Sequence, residues 1–167
     1  MSLTDPAPRR VLFLCTGNSA RSILAEALLN ALGAGRWIGH SAGSMPKGQV
    51  HPESLKLLAA RGHDVSGLRS KSWDEFAPPG APELDLIITV CDNAAGEVCP
   101  IWPGRPAAAH WGLPDPAAAE ADAAPAAFAR AYAQLEARIV ALTALDLTRD
   151  TAQLKSALQQ IHQDAPL

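Results

Sequence analysis

Four consecutive apolar residues, Val11-Leu12-Phe13-Leu14, run directly into Cys15 and then into a loop of small residues. A half-exposed strand alternates apolar and polar side chains, so an unbroken apolar run belongs to a strand covered on both faces. Beyond the loop the spacing changes. Ile23, Leu24, Ala27, Leu28, Ala31 and Leu32 mark one apolar helix face, and Gly33 and Gly35 stop it. A buried strand that leads through a tight loop into a helix starts a βαβ unit, which commits the chain to a parallel sheet.

The rest of the chain repeats this theme. A second strand is predicted over Trp37–Ser41, ending at Ala42-Gly43-Ser44. A helix follows over Pro52–Arg61, with Leu55, Leu58 and Ala59 on one face, and a short helical turn over Trp73–Phe76. Leu84–Cys91 is another fully apolar strand, and a shorter one is predicted over Ala107–His110. Pro125 suits the first turn of a helix that runs to about Leu145. The tail from Thr151 to His162 carries Leu154, Leu158 and Ile161 at helical spacing. Strands alternating with helices imply an α/β fold, a parallel sheet with both faces covered.

With 167 residues and no linker long enough to divide it, the chain reads as a single domain over 1–167. Its core spans about 9–146 and a C-terminal helix about 150–163. The segment Met1–Arg9 and the last few residues are expected to be mobile. A net charge of -3 without a basic block argues against nucleic-acid binding. No apolar run is long enough for a bilayer, so no membrane association is expected. The opening MSLTDPAPRR lacks the apolar stretch of a signal peptide, so the expected location is cytoplasmic. Three cysteines, Cys15, Cys91 and Cys99, are too few for a secreted disulfide scaffold, and a monomer is expected.

In a parallel sheet, ligands bind at the carboxyl ends of the strands, where Cys15 is placed. The small residues Thr16, Gly17, Asn18, Ser19 and Ala20 allow the backbone N–H groups to curl around an anion. The helix that begins near Arg21 adds its N-terminal dipole, and the Arg21 guanidinium fits a tetrahedral oxyanion. The same groups favour the thiolate of Cys15, to which Ser22 can donate a hydrogen bond. One loop would then hold an oxyanion and aim a sulfur nucleophile at its central atom.

The stretch Cys15-Thr16-Gly17-Asn18-Ser19-Ala20-Arg21-Ser22 resembles the phosphate-binding loop of the low-molecular-weight protein tyrosine phosphatase superfamily. Its CTGNSxRS form is similar to the arsenate reductase branch rather than the phosphatase branch. The resemblance covers about residues 9–146. It implies a four-stranded parallel sheet flanked by helices, a nucleophilic Cys15, and Asn18 as a structural part of the loop. Asp115, in the stiff stretch Gly112-Leu113-Pro114-Asp115-Pro116, reads from the residues alone as either a turn aspartate or a carboxyl over the anion site. The resemblance assigns the Asp-Pro pair the general-acid role. Phosphatases of this family usually follow that pair with an aromatic residue, and here Ala117 follows.

Cys91 ends a strand parallel to the one that ends at Cys15, so both are expected at one edge of the sheet. Thioredoxin-coupled members of the resembling branch use two cysteines here as a relay. The resemblance therefore implies that Cys91 attacks the sulfur of Cys15, and that Cys99 then attacks Cys91 to leave a Cys91–Cys99 disulfide. Seven residues separate the two cysteines, one more than in that branch, and Asp92, Asn93 and Gly96 lend the loop flexibility. If Cys99 were idle, glutathione with glutaredoxin would resolve the arsenic adduct instead.

No organic cofactor is expected, only an external thiol reductant. Some relatives hold a potassium ion beside the loop, and the matching positions are Asn18, Glu26 and Ser41. Cys91, Cys99 and His110 lack a fourth ligand and CxxC spacing for zinc. The reading is reduction of arsenate to arsenite. The alternatives are a phosphatase acting on phosphotyrosine or small phosphoesters, and a non-enzymatic oxyanion binder.

Overall fold

The computed structural model describes residues 8–33, 35–78, 80–81, 83–90, 107–145 and 151–164. Four strands, β1 (Arg9–Cys15), β2 (Trp37–Gly43), β3 (Leu86–Thr89) and β4 (Ala107–His110), form one parallel sheet in the order β2-β1-β3-β4. Among the described residues, four helices accompany it: α1 (Arg21–Leu32), α2 (Pro52–Ala60), α3 (Ala124–Thr143) and α4 (Thr151–Asp164). Single 3-10 turns lie at Trp73–Phe76 and Pro116–Ala118. This is the expected four-stranded α/β architecture. Because all four strands run the same way, the loops that leave their carboxyl ends share one edge of the sheet.

The run Val11–Leu14 is fully buried, and its pleat divides the core in two. Val11, Phe13 and Cys15 face a large cluster that includes Leu24 and Leu28 of α1, Phe128 and Leu135 of α3, and Leu158 of α4. Leu12 and Leu14 face a smaller cluster with Ala42, Phe76 and Leu84. The 3-10 turn at Trp73–Phe76 thus seals the second face of β1, and the Ser72 hydroxyl accepts the Asp74 N–H at its start. The tail packs on the body as its periodicity implies. Leu154 and Leu158 are fully buried, and the Trp111 indole N–H donates to Leu158 O at 2.8 Å. No helix among the described residues is long and apolar enough to cross a membrane.

Three strand boundaries differ from expectation. β1 starts at Arg9, so Arg9 belongs to the sheet and not to a mobile N-terminus; it pairs with Trp37, and its guanidinium lies 3.5 Å from Asp85. The Asp85 carboxylate also accepts the Arg10 N–H at 2.8 Å, where a paired strand would offer a carbonyl. That side chain takes over the ladder at its amino end, so β3 is confined to Leu86–Thr89 within the longer apolar run. β2 extends two residues past Ser41, because Gly43 pairs with Cys15.

Candidate active site

The loop from Cys15 to Ser22 is shaped by where its carbonyls go. Thr16 O accepts from Met45 N at 3.0 Å, and Gly17 O from Lys47 N at 3.0 Å and Ser70 Oγ at 3.2 Å. Ser19 O accepts from His51 N at 3.0 Å and Ser54 Oγ at 2.9 Å. With these carbonyls tied to the surrounding scaffold, the loop has the makings of a nest whose amides can serve an anion. Ala20, at the N-cap of α1, has no side chain to cap the first-turn amides, which are therefore left for an incoming oxyanion.

Asn18 is the only non-glycine residue with positive φ among the described residues, at 45°. Asparagine tolerates this left-handed conformation better than most side chains. Its side chain repays the bend. Asn18 Oδ1 accepts the Lys71 N–H at 2.9 Å, which forces its NH2 group toward Ser22 Oγ, also 2.8 Å away. The Ser22 oxygen thus acts as acceptor from Asn18, and its own proton is free for Cys15 Sγ at 2.8 Å. The Asn18 backbone N–H points at the same sulfur from 3.2 Å. Two donors aimed at the sulfur of a buried cysteine favour the thiolate. Gly43 makes this packing possible, since a Cβ there would sit 2.4 Å from Thr16 O and 3.1 Å from Asn18 Cβ.

Arg21 opens α1 and reaches across to the loop after β4. Its Nη1 donates to Leu113 O at 3.0 Å, and its Nη2 lies 3.7 Å from Asp115 Oδ2. Asp115 Oδ1 accepts the Ala117 N–H at 3.0 Å, capping the short turn that follows. Asp115 is thus a turn aspartate and a wall of the site at once. A pocket of about 260 Å³ is lined by Cys15, Thr16, Gly17, Ser19, Ala20, Arg21, Met45, Lys47 and Asp115. No aromatic ring is among these lining residues. Trp111 is fully buried in the core, where its ring lies 6.5 Å from that of Phe13.

Of the residues expected to hold potassium, Ser41 and Glu26 meet directly and Asn18 is joined to them only through Lys71, an arrangement that suits the lysine ammonium better than an ion. The buried Ser41 hydroxyl donates to Glu26 Oε1, and the Lys71 ammonium lies 3.6 Å from that same oxygen. Burial pulls Lys71 below the usual lysine range, and Glu26 pulls it back up. The cationic partner of Glu26 is therefore a side chain of the protein itself. The Asn18 carbonyl oxygen is already engaged by Lys71 N–H.

Cys91 and Cys99 lie outside the described residues. Where β3 ends, Thr89 Oγ1 meets His110 Nδ1 at 2.6 Å. The remaining histidines have structural partners. His51 caps α2 by accepting Glu53 N–H at 3.0 Å, and His63 meets the Tyr132 hydroxyl at 2.7 Å. Lys47, Lys71 and Arg138 were not singled out by the sequence reading. Arg138, fully buried on α3, donates to Trp111 O at 3.3 Å and Gly112 O at 3.4 Å, and so braces the loop that carries Asp115.

A hydrogen-bonded sulfur beneath a nest of amides, with a cation and a carboxyl at its mouth, defines a class of enzymes that attack tetrahedral oxyanions through cysteine. The family model for low molecular weight phosphotyrosine protein phosphatase matches residues 10–159, and the chain belongs to this family. Among individual relatives, an arsenate reductase from Halalkalibacterium halodurans is 38% identical over 110 residues, 66% of this chain and 76% of that protein. The crystal structure of arsenate reductase from Archaeoglobus fulgidus superposes with a TM-score of 0.64 at 33% identity, covering 81% of this chain and 99% of that one. A thioredoxin-dependent arsenate reductase from Corynebacterium glutamicum gives a TM-score of 0.58 at 26% identity, covering 95% of this chain and 65% of that one.

Proposed function

We propose that this chain is an arsenate reductase, converting arsenate to arsenite with electrons supplied by thiols. The observation that carries the reading is the placement of Cys15 Sγ, bonded to Ser22 Oγ and Asn18 N–H in the pocket that Arg21 and Asp115 help to line. The relatives of known structure and sequence support arsenate over a phosphoester as the substrate. So does Ala117, which follows the Asp115-Pro116 pair where phosphatases of this family usually carry an aromatic residue.

Arsenate binds with its oxygens toward the loop amides and Arg21. The Cys15 thiolate attacks arsenic, and Asp115 gives a proton to the departing oxygen, which leaves as water. The Cys91 thiolate then attacks Cys15 Sγ. A sulfur–sulfur bond forms, the sulfur–arsenic bond breaks, and its electron pair stays on arsenic, which departs as arsenite. Cys99 attacks Cys91, releases Cys15 as thiolate, and leaves a Cys91–Cys99 disulfide. Thioredoxin is the reductant we assign to this disulfide, as in the Corynebacterium glutamicum relative. A reducing compartment such as the cytoplasm would keep the three thiols ready.

The experiment is arsenite formation by purified protein with thioredoxin and its reductase, and in parallel with glutathione and glutaredoxin. Para-nitrophenyl phosphate hydrolysis is measured alongside. Turnover with thioredoxin is expected. Turnover with glutathione alone would make Cys99 dispensable, and brisk ester cleavage without arsenite from either system would overturn the reading in favour of a phosphatase.

A further inference from the structure

One cation in the pocket wall has no assignment in the mechanism above. Lys47 lies in the loop after β2, and its backbone N–H is fixed to Gly17 O at 3.0 Å. Its stem crosses directly over Gly17, with Lys47 Cε, Cγ and Cδ between 3.2 and 3.5 Å from where a Gly17 Cβ would stand. The side chain is thus laid along the oxyanion loop, and it lines the same pocket as Cys15 and Arg21. Among the described residues its ammonium has no hydrogen-bond or ion-pair partner, whereas Arg21 is engaged by Leu113 O and Asp115.

The charges around the pocket make this matter. With Asp115 holding the proton it gives to the leaving oxygen, the Cys15 thiolate is negative and Arg21 and Lys47 are positive. Without Lys47 the wall would carry no net positive charge to draw in a doubly charged substrate. We infer that Lys47 is a specificity-determining residue, which selects dianionic over monoanionic tetrahedral oxyanions at the Cys15 loop. This rests on the reading of that loop as the oxyanion site, and it sets the charge of the substrate that enters.

Coulomb attraction scales with the charge of the anion, so its loss falls unequally on the two classes. The test uses two tetrahedral probes, sulfate as dianion and perchlorate as monoanion, each protecting Cys15 from iodoacetamide at constant ionic strength. No reductant or turnover is involved. Lys47→Met should weaken protection by sulfate about tenfold and by perchlorate only about threefold. Lys47→Arg should restore both. Equal losses for the two anions in Lys47→Met, or no loss for either, would overturn the assignment. Absence of protection by either anion in the unaltered protein would overturn the oxyanion-loop reading itself. Sound anion protection in a protein that forms no arsenite would overturn the reductase reading alone, and would leave Lys47 in place as a selector of charge.

Discussion

The two loops that meet at the pocket are held in opposite ways. The cysteine loop is determined densely and close at hand, with carbonyls at Thr16, Gly17 and Ser19 each engaged from outside and Asn18 bonded through both ends of its amide. The loop carrying Asp115 is held from afar, by Arg21 on one side and by Arg138 at 3.3 and 3.4 Å on the other. Cys15 is therefore pre-set by its own short sequence. Asp115 is set by two cations, one from α1 and one from α3. A site built this way can keep its sulfur fixed while the acid loop yields as the oxyanion enters and the product leaves.

The sharpest way to break this contrast is at the sulfur. Cys15→Ser should abolish arsenate reduction and ester cleavage alike, by at least about a thousandfold, as read by steady-state assays of both. Retention of either activity would mean that another group is the nucleophile. Asp115→Asn should lower ester cleavage about a hundredfold for a poor leaving group such as phenol, and far less for nitrophenol, which departs without a proton. A uniform loss across leaving groups would place Asp115 outside proton transfer.

Two substitutions should separate the loops. Asn18→Ala should slow alkylation of Cys15 at neutral pH about tenfold, because it removes the group that orients the Ser22 proton toward sulfur. Arg138→Met should leave that alkylation rate unchanged while lowering turnover about tenfold, because it frees only the acid loop. Equal effects of the two on alkylation would show one coupled unit instead of two.

A smaller effect lies beneath the site, at His40. Burial, with help from Arg10 and Lys71, pushes its pKa from 6.5 down to about 4. Its Nε2 faces Arg10 Nη1 at 3.1 Å, and since arginine can only donate, His40 is the acceptor and neutral. The unfolded chain takes up a proton at the ordinary histidine value and the folded chain does not. Its contribution is therefore complete above 6.5 and is lost as pH falls toward about 4. Denaturant unfolding should show stability declining across this window, with a shallower decline in His40→Gln. The smallest expected effect is that of potassium: replacing sodium by potassium salts should leave turnover unchanged, because Lys71 already partners Glu26. Stimulation by potassium would contradict that fit.

What could be read in the sequence follows the same division. The elements around Cys15 were legible because strand, loop and helix are contiguous: Val11–Leu14, the small residues to Ala20, and the periodic face from Ile23 to Leu32 declare themselves. Trp73–Phe76 and Ala107–His110 emerged with the expected bounds. Lys47, Lys71 and Arg138 were not legible, because each acts on a segment remote in the chain, and a lone basic residue in a loop or helix usually faces water. Lys47 did leave one signal, since it lies in a loop leaving the carboxyl end of a strand, where ligands gather. The place of Trp111 was not legible either, because its indole N–H is held by Leu158 O on the tail helix, far along the chain. Asn18, Glu26 and Ser41, named as potassium ligands, gave no reason to consider Lys71, which lies beside Glu26.

The measurement to make first is a single turnover. Fully reduced protein is mixed with excess arsenate, with no external reductant, and arsenite is counted against protein. One arsenite per chain is expected, followed by arrest as the Cys91–Cys99 disulfide forms, with none from Cys15→Ser. No arsenite from protein whose Cys15 is still alkylated rapidly would contradict the assignment, and would mean that the loop holds a reactive sulfur for some other chemistry.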